Sequence, residues 1–251
     1  MKKKTLILIL GLFHISFSQN FEITYDVPDN IKGNKVIKNY LKKIGGIHNL
    51  NKINTLEKNA TVHIKDVPEH LFMNATVIYK EPNLYFSSLE MNNVGKIQST
   101  KYNGKVCIVS RKNNTEIITT EIKGDLLLEK LNEFEPFPIL HELNNKSIFK
   151  ITEIHTMPDS ILYKVEINNN NKVSFYFDHK SNLLVKKETI MFGSETRTKT
   201  IEYSDYRKVK NILIPFSINE VIKESDEIIQ NTSTNIEEVL INHKVELLNF
   251  Q

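Results

Sequence analysis

One cysteine, no tryptophan and eight glycines in 251 residues leave this chain without several common devices. A lone Cys107 cannot close an internal disulfide, so the fold has to rest on its apolar core. Two readings of the thiol stay open, an inert buried group or a reactive one. The glycines fall into no phosphate-cradling loop, dinucleotide fingerprint or nucleophile elbow. No nucleophile–base pair stands out either, so the residues point to a protein that is not an enzyme and needs no cofactor. His141-Glu142 opens like a zinc-protease helix, but that motif requires a second histidine at 145, where the chain has Asn145. His63 and His70, with Asp66 and Glu69 nearby, are read as solvated loop residues or at most a weak metal group, and no metal site is expected. Glu237 and Glu238 are neighbours on a presumed strand and so face opposite ways. Glu133 and Glu135 border a leucine-rich segment and read as its solvated edge.

Charge of one sign is missing too. Lys2, Lys3 and Lys4 account for the whole formal charge of +3, and removing them leaves zero. No basic field remains to draw nucleic acid or anionic lipid. Those lysines precede the apolar run 6–13 and the small residues Ser16 and Ser18, the pattern of a secretory signal cut after Ser18. No Cys follows for lipid attachment, and no later run approaches the ~18 apolar residues of a membrane span. The expected mature chain, 19–251, is a soluble single domain.

What the chain does have is period. Residues 20–31, with Pro28, read as an extended arm. Val36, Ile37, Tyr40, Leu41 and Ile44 then fall at helical spacing, with Asn34 as a candidate N-cap and Gly45-Gly46 as the stop. A short second turn carries Ile47, Leu50 and Ile53. This amphipathic element packs on a sheet or serves as a ligand-facing lid. From Thr55 the period is two, with strands expected at 56–64, 71–80, 84–91, 95–102, 105–110 and 115–122. Asn103-Gly104 predicts a two-residue type I′ hairpin, since both residues tolerate positive φ. Leu126, Leu127, Leu128, Leu131 and Phe134 interrupt the strands as an apolar helix, followed by the proline-constrained loop 136–140. Strands resume at 147–155, 160–167, 172–178, 183–191, 195–203, 212–220 and 227–239. The short links between strands favour antiparallel order. The two helical pieces either fill one face of the sheet or cover it incompletely and leave an apolar cavity.

Residues 75–110, with Tyr79-Lys80-Glu81-Pro82-Asn83-Leu84-Tyr85-Phe86 and Tyr102-Asn103-Gly104-Lys105, resemble the strand–“RPN”–strand–“DGK”–strand core of the LolA-like lipoprotein carriers. Pro136-Phe137-Pro138-Ile139-Leu140 stands where that family has its lid, and a helix precedes the first strand as it should. The resemblance implies a mainly β fold: a strongly curved, unclosed antiparallel barrel with an N-terminal helix and a helix-loop lid. It implies a periplasmic monomer whose interior takes lipid or lipoprotein acyl chains and passes them to an envelope acceptor. Leu126, Leu127, Leu131, Phe134 and Phe137 are then expected to line or cover the cavity, with Tyr85 and Phe86 from the sheet. Glu81 departs from the family, which places a lid-latching arginine there; a carboxylate accepts hydrogen bonds where guanidinium donates. An envelope interaction module of the same fold, with a filled core, is the competing expectation.

Overall fold

The computed structural model describes residues 21–68, 71–167, 170–191 and 196–250. The expected signal 1–18, Glu69 and His70, and the turn at 192–194 lie outside the described residues. In chain order the elements are β1 (Glu22–Thr24), α1 (Gly33–Lys43), α2 (Ile47–Leu50), β2 (Thr55–Ile64), β3 (Met73–Lys80), β4 (Leu84–Met91), β5 (Gly95–Asn103), β6 (Cys107–Asn113) and β7 (Glu116–Ile122). Then come α3 (Gly124–Phe134), α4 (Pro138–Asn144), β8 (Phe149–Met157), β9 (Ser160–Ile167), β10 (Asn170–Asp178), β11 (Leu184–Met191), β12 (Arg197–Val209), β13 (Ile212–Glu224) and β14 (Glu227–Ile241). All fourteen strands form one antiparallel sheet in the order β1-β8-β9-β10-β11-β12-β13-β14-β2-β3-β4-β5-β6-β7, open at β1 and β7.

The alternation read from the sequence sorts the two faces. On the inner face Ile151, Val165 and Phe175 are cross-strand partners in β8, β9 and β10, and all are buried. The outer face of the same strands is charged. Lys164 reaches Glu153 at 2.5 Å and Glu166 at 3.6 Å, and Glu153 also meets His155 at 2.7 Å. These two pairings hold the Glu153 carboxyl below its ordinary range, against the opposing effect of burial.

α1 lies on the inner face as a chord. At its start the Phe149 N–H of β8 donates to Asn34 Oδ1 at 3.2 Å, and past its end the Leu213 N–H of β13 donates to the Ile44 carbonyl at 2.8 Å. Ten residue steps of helix span ~15 Å, whereas five strand spacings laid flat would span ~24 Å. The sheet has to curl around the helix for both bonds to form. Gly33 permits the close approach, since a Cβ there would lie 2.2 Å from the Phe149 carbonyl oxygen. Ile37, Leu41 and Ile44 are all but fully buried, in one cluster with Phe177, Leu184, Ile214 and, from α4, Ile139 and Leu140.

Local details depart from the expectations in four places. Glu237 and Glu238 do not face opposite ways: a bulge between Ile236 and Glu238 brings both carboxylates to the same face of β2, where Glu237 accepts from the Thr61 hydroxyl and Glu238 from the Asn59 amide. Asn34 does not cap α1; Lys32 stands at that position without a side-chain bond, because the Asn34 amide oxygen is drawn to β8. The stretch after Pro136 is not a plain loop: Pro138 begins helix α4, where its fixed φ suits the first turn. Nor is there a two-residue hairpin at Asn103-Gly104. Only Gly104 has positive φ, Asn103 Oδ1 accepts from the Lys105 and Val106 N–H groups, and the last strand pair is Tyr102 with Cys107. The asparagine side chain satisfies the donors of a wider turn. Ser225 and Asp226, both at positive φ between paired Glu224 and Glu227, form the two-residue turn instead.

Candidate functional site

The part of the inner face beyond α1 is lined by a row of aromatic and apolar side chains in register across five strands: Leu56, Tyr79, Tyr85, Tyr102 and Cys107 in β2 to β6. The row exists because each strand places the same parity of residue inward. α3 crosses it. On that helix Leu127, Leu131 and Phe134 share one face at i, i+4, i+7 spacing. Leu127 and Leu131 pack half-buried against the cluster of Tyr102, Cys107, Val109 and Phe134. The Phe134 ring is the anchor, stacked on Tyr85 at 4.2 Å and tilted over Tyr102 at 5.4 Å between centroids. Leu126 and Leu128 are 64% and 63% exposed, and Leu128 borders the hollow under the helix.

Beneath the helix lies a hollow of about 520 Å³, within the range of small-molecule sites. Tyr79, Tyr102, Leu131 and Phe134 make its apolar walls, and Glu135 and His141 face it from the junction of α3 and α4. His141 Nδ1 is 3.4 Å from Glu135 Oε1. Burial holds the Glu135 carboxyl above its ordinary range, with His141 opposing. Burial first, then the charges of Glu135 and Glu81, push the Tyr79 phenol up to about 12. The phenol therefore stays protonated at neutral pH and serves as a hydrogen-bond donor. Cys107 is fully buried, and burial pushes its thiol up against the opposing charge of Lys130, the setting of an unreactive cysteine.

The residues expected at the site are not all in one place. Leu127, Leu131, Phe134 and Tyr85 come together under or on α3, and Leu126 sits on its exposed side. Phe137 packs instead against the main core around α1 and α4. Phe86, one residue from Tyr85, necessarily faces outward, where it clusters with Ile78, Val245 and Phe250 beneath the C-terminal turn Leu247–Phe250. Glu81 is exposed; its N–H donates to the Asn54 carbonyl at 2.8 Å, and its carboxylate pairs with no described residue of α3 or α4. The hollow residues that sequence reasoning passed over are Tyr79, Asn83, Leu84, Tyr102, Leu128 and His141, and Glu135, expected at a solvated edge, is half-buried against the hollow. The two tyrosines carried a usable signal, since both hold the same strand parity as Tyr85. His141 did not, because its approach to Glu135 depends on how α4 turns back.

A broader hollow of about 750 Å³ lies at the rim formed by β2, β13 and β14, lined largely by polar groups such as His63, Asn219, Asn231 and Ser233. By register His63, Asn219 and Ser233 point to the outer face, away from the aromatic row, so the smaller hollow is the better apolar site despite its size. Among the described residues no three His, Cys, Asp or Glu side chains converge as a metal site would need.

The sequence matches no family model and no curated protein. Solved structures do match the fold over nearly the whole length of both chains. A LolA superfamily protein from Nitrosomonas europaea superposes with a TM-score of 0.57 at 8% identity, covering 88% of this chain and 98% of that one. An outer membrane lipoprotein-sorting protein domain from Vibrio parahaemolyticus gives 0.54 at 10% identity, with 87% and 95% covered. A DUF1329 family protein from Desulfovibrio piger gives 0.57 at 8% identity, with 88% and 97% covered. At this identity, what these chains share with the present one is the fold.

Proposed function

From the LolA-like fold of this chain, we propose that the protein is a non-enzymatic periplasmic binder of lipid or lipoprotein acyl chains, which it holds in the hollow beneath α3. The observation that carries the proposal is the state of α3. Its four leucines and Phe134 make a broad apolar face, opposite Asp125, yet one aromatic anchor, Phe134 on Tyr85 and Tyr102, is its main buried contact with the sheet, over a hollow of about 520 Å³. An amphipathic helix buries its apolar face against core, membrane or ligand. Leu126 and Leu128, both exposed, have no such cover from the described residues.

An acyl chain suits this arrangement energetically. Each buried methylene contributes about 0.8 kcal/mol, so sequestering a chain of about fourteen carbons offsets roughly 10 kcal/mol of exposure without any bond being made or broken. Release then follows lifting of α3, at the expense of the Phe134 stack. The solved domain from Vibrio parahaemolyticus is described as lipoprotein-sorting, which agrees with this reading. A secretory signal at 1–18 would deliver the chain to the periplasm, and among the described residues no helix is long and apolar enough to cross a membrane.

Titration of delipidated protein with a fluorescent fatty acid tests the proposal. Saturable binding that Leu127→Asp weakens by at least about tenfold is the expected result. No saturable binding, together with a partner protein recovered by crosslinking, would favour the filled-core interaction module instead.

A further inference from the structure

Lys58 stands out on the inner face. β2 runs without a bulge there, so Lys58 points the same way as Leu56 and Ala60, both buried in the main core. Its cross-strand partners are Val239 on β14 and Val77 on β3, and the next positions in the row are Ser87 and Thr100. Two other inner-face lysines are engaged: Lys199 pairs with Glu220 at 2.8 Å, and Lys187 lies over the Phe175 ring at 5.9 Å. Lys58 makes no hydrogen bond and no ion pair with any described residue. It is half-buried, and burial alone pushes its amine below the ordinary lysine range, with no acidic neighbour acting on it. A cation set among valines without a counter-ion is costly, and in a hollowed fold such a group marks a candidate site.

Its position relative to the hollow gives the cation a use. Leu56 faces Tyr79, which lines the hollow, and Lys58 is the next inward residue along the same strand, ~7 Å further in. Resting on the acyl-binding reading above, we propose that Lys58 receives the acidic head of an anionic amphiphile, a carboxylate or phosphate ester whose chain occupies the hollow beneath α3. The incoming oxygens accept from the ammonium and provide the missing countercharge, while Ser87 and Thr100 add hydroxyl donors on the same row. Ligands of equal chain length are then sorted by the charge of the head group.

The test compares three probes on delipidated full-length protein: hexadecanoate, its uncharged methyl ester, and phosphatidylglycerol as competitor. Wild type is expected to bind hexadecanoate at least about tenfold more tightly than the ester, the scale of a charge-assisted contact. Lys58→Met should abolish that preference and leave the ester's affinity unchanged, and Lys58→Arg should keep it. An unchanged or higher thermal midpoint for Lys58→Met shows that the fold is retained. Stronger competition by phosphatidylglycerol than by hexadecanoate identifies the source as a lipid head group, and the reverse identifies free fatty acid. A preference that survives in Lys58→Met, or one absent from wild type while the ester binds, overturns the role of Lys58 and leaves the acyl site standing. Failure of every probe to bind overturns both.

Discussion

The two ends of the inner face are built from the same alternating strands but are covered very differently. Where β8 to β13 curl around α1, the buried cluster joins the apolar face of the helix to the sheet, from Ile37 and Leu41 through Phe177 to Ile214, with α4 adding Ile139 and Leu140. Where β3 to β6 pass under α3, only Tyr102, Cys107, Val109 and Phe134 are buried together among the described residues. One end is closed by a helix hydrogen-bonded to the sheet at both its ends, through the Asn34 side chain and the Ile44 carbonyl, the other by a helix resting largely on one aromatic stack. The first end supplies stability and curvature. The second keeps apolar surface that the described residues do not cover.

Truncations at the two ends should show the contrast most strongly. Phe177→Ala, in the sealed end and 1% exposed, is expected to lower the unfolding free energy by about 3–5 kcal/mol in urea titration. Phe134→Ala should lower it by only about 2 kcal/mol, and amide exchange should speed up in α3 while α1 stays protected. Equal losses from the two variants would show that α3 is as integral as α1. Next in size, Gly33→Ala forces a Cβ into the Phe149 carbonyl and should cost about 1–3 kcal/mol, again read by urea titration, since the helix cannot shift without loosening its bond to β8.

The smallest expected effect is a gain. Lys58→Met removes an unpaired, half-buried charge and should raise stability by roughly 1 kcal/mol at pH 7. The pH dependence follows from the direction of the shift. The amine's folded-state value lies below its unfolded one, so charging it weakens the fold, and the full penalty applies below the lowered value. It fades as pH rises from there towards about 10.4, the unfolded value. The advantage of Lys58→Met should therefore narrow at alkaline pH. An advantage that does not change with pH would mean that the amine is already solvated.

The strands were legible because their signal is local. Leu56, Lys58 and Ala60 alternate with Glu57 and Asn59, and that alternation alone puts Lys58 inward. The sequence reading put Leu126, Leu127, Leu131, Phe134 and Phe137 in one lining, whereas Leu126 is exposed, Phe137 joined the other cluster, and Leu128, left out of that lining, borders the hollow. The apolar face of α3 is wider than the strip the sheet covers, and the helical period alone does not say which of its leucines meet the sheet. The type I′ expectation at Asn103-Gly104 missed for a related reason: the asparagine's side chain bonds two amides at once, while Ser225-Asp226, a weaker local signal, is held between the long paired strands β13 and β14.

By itself the sequence determined strand parity, antiparallel order and the two helical interruptions, because each depends on neighbours a few residues apart. Only the tertiary structure decided that β14 pairs with β2, that β1 closes onto β8, and that α1 stretches from β8 to β13 as a chord. Those choices depend on contacts between residues far apart in the chain, and a chord shorter than the sheet it spans is what bends the inner face into a hollow.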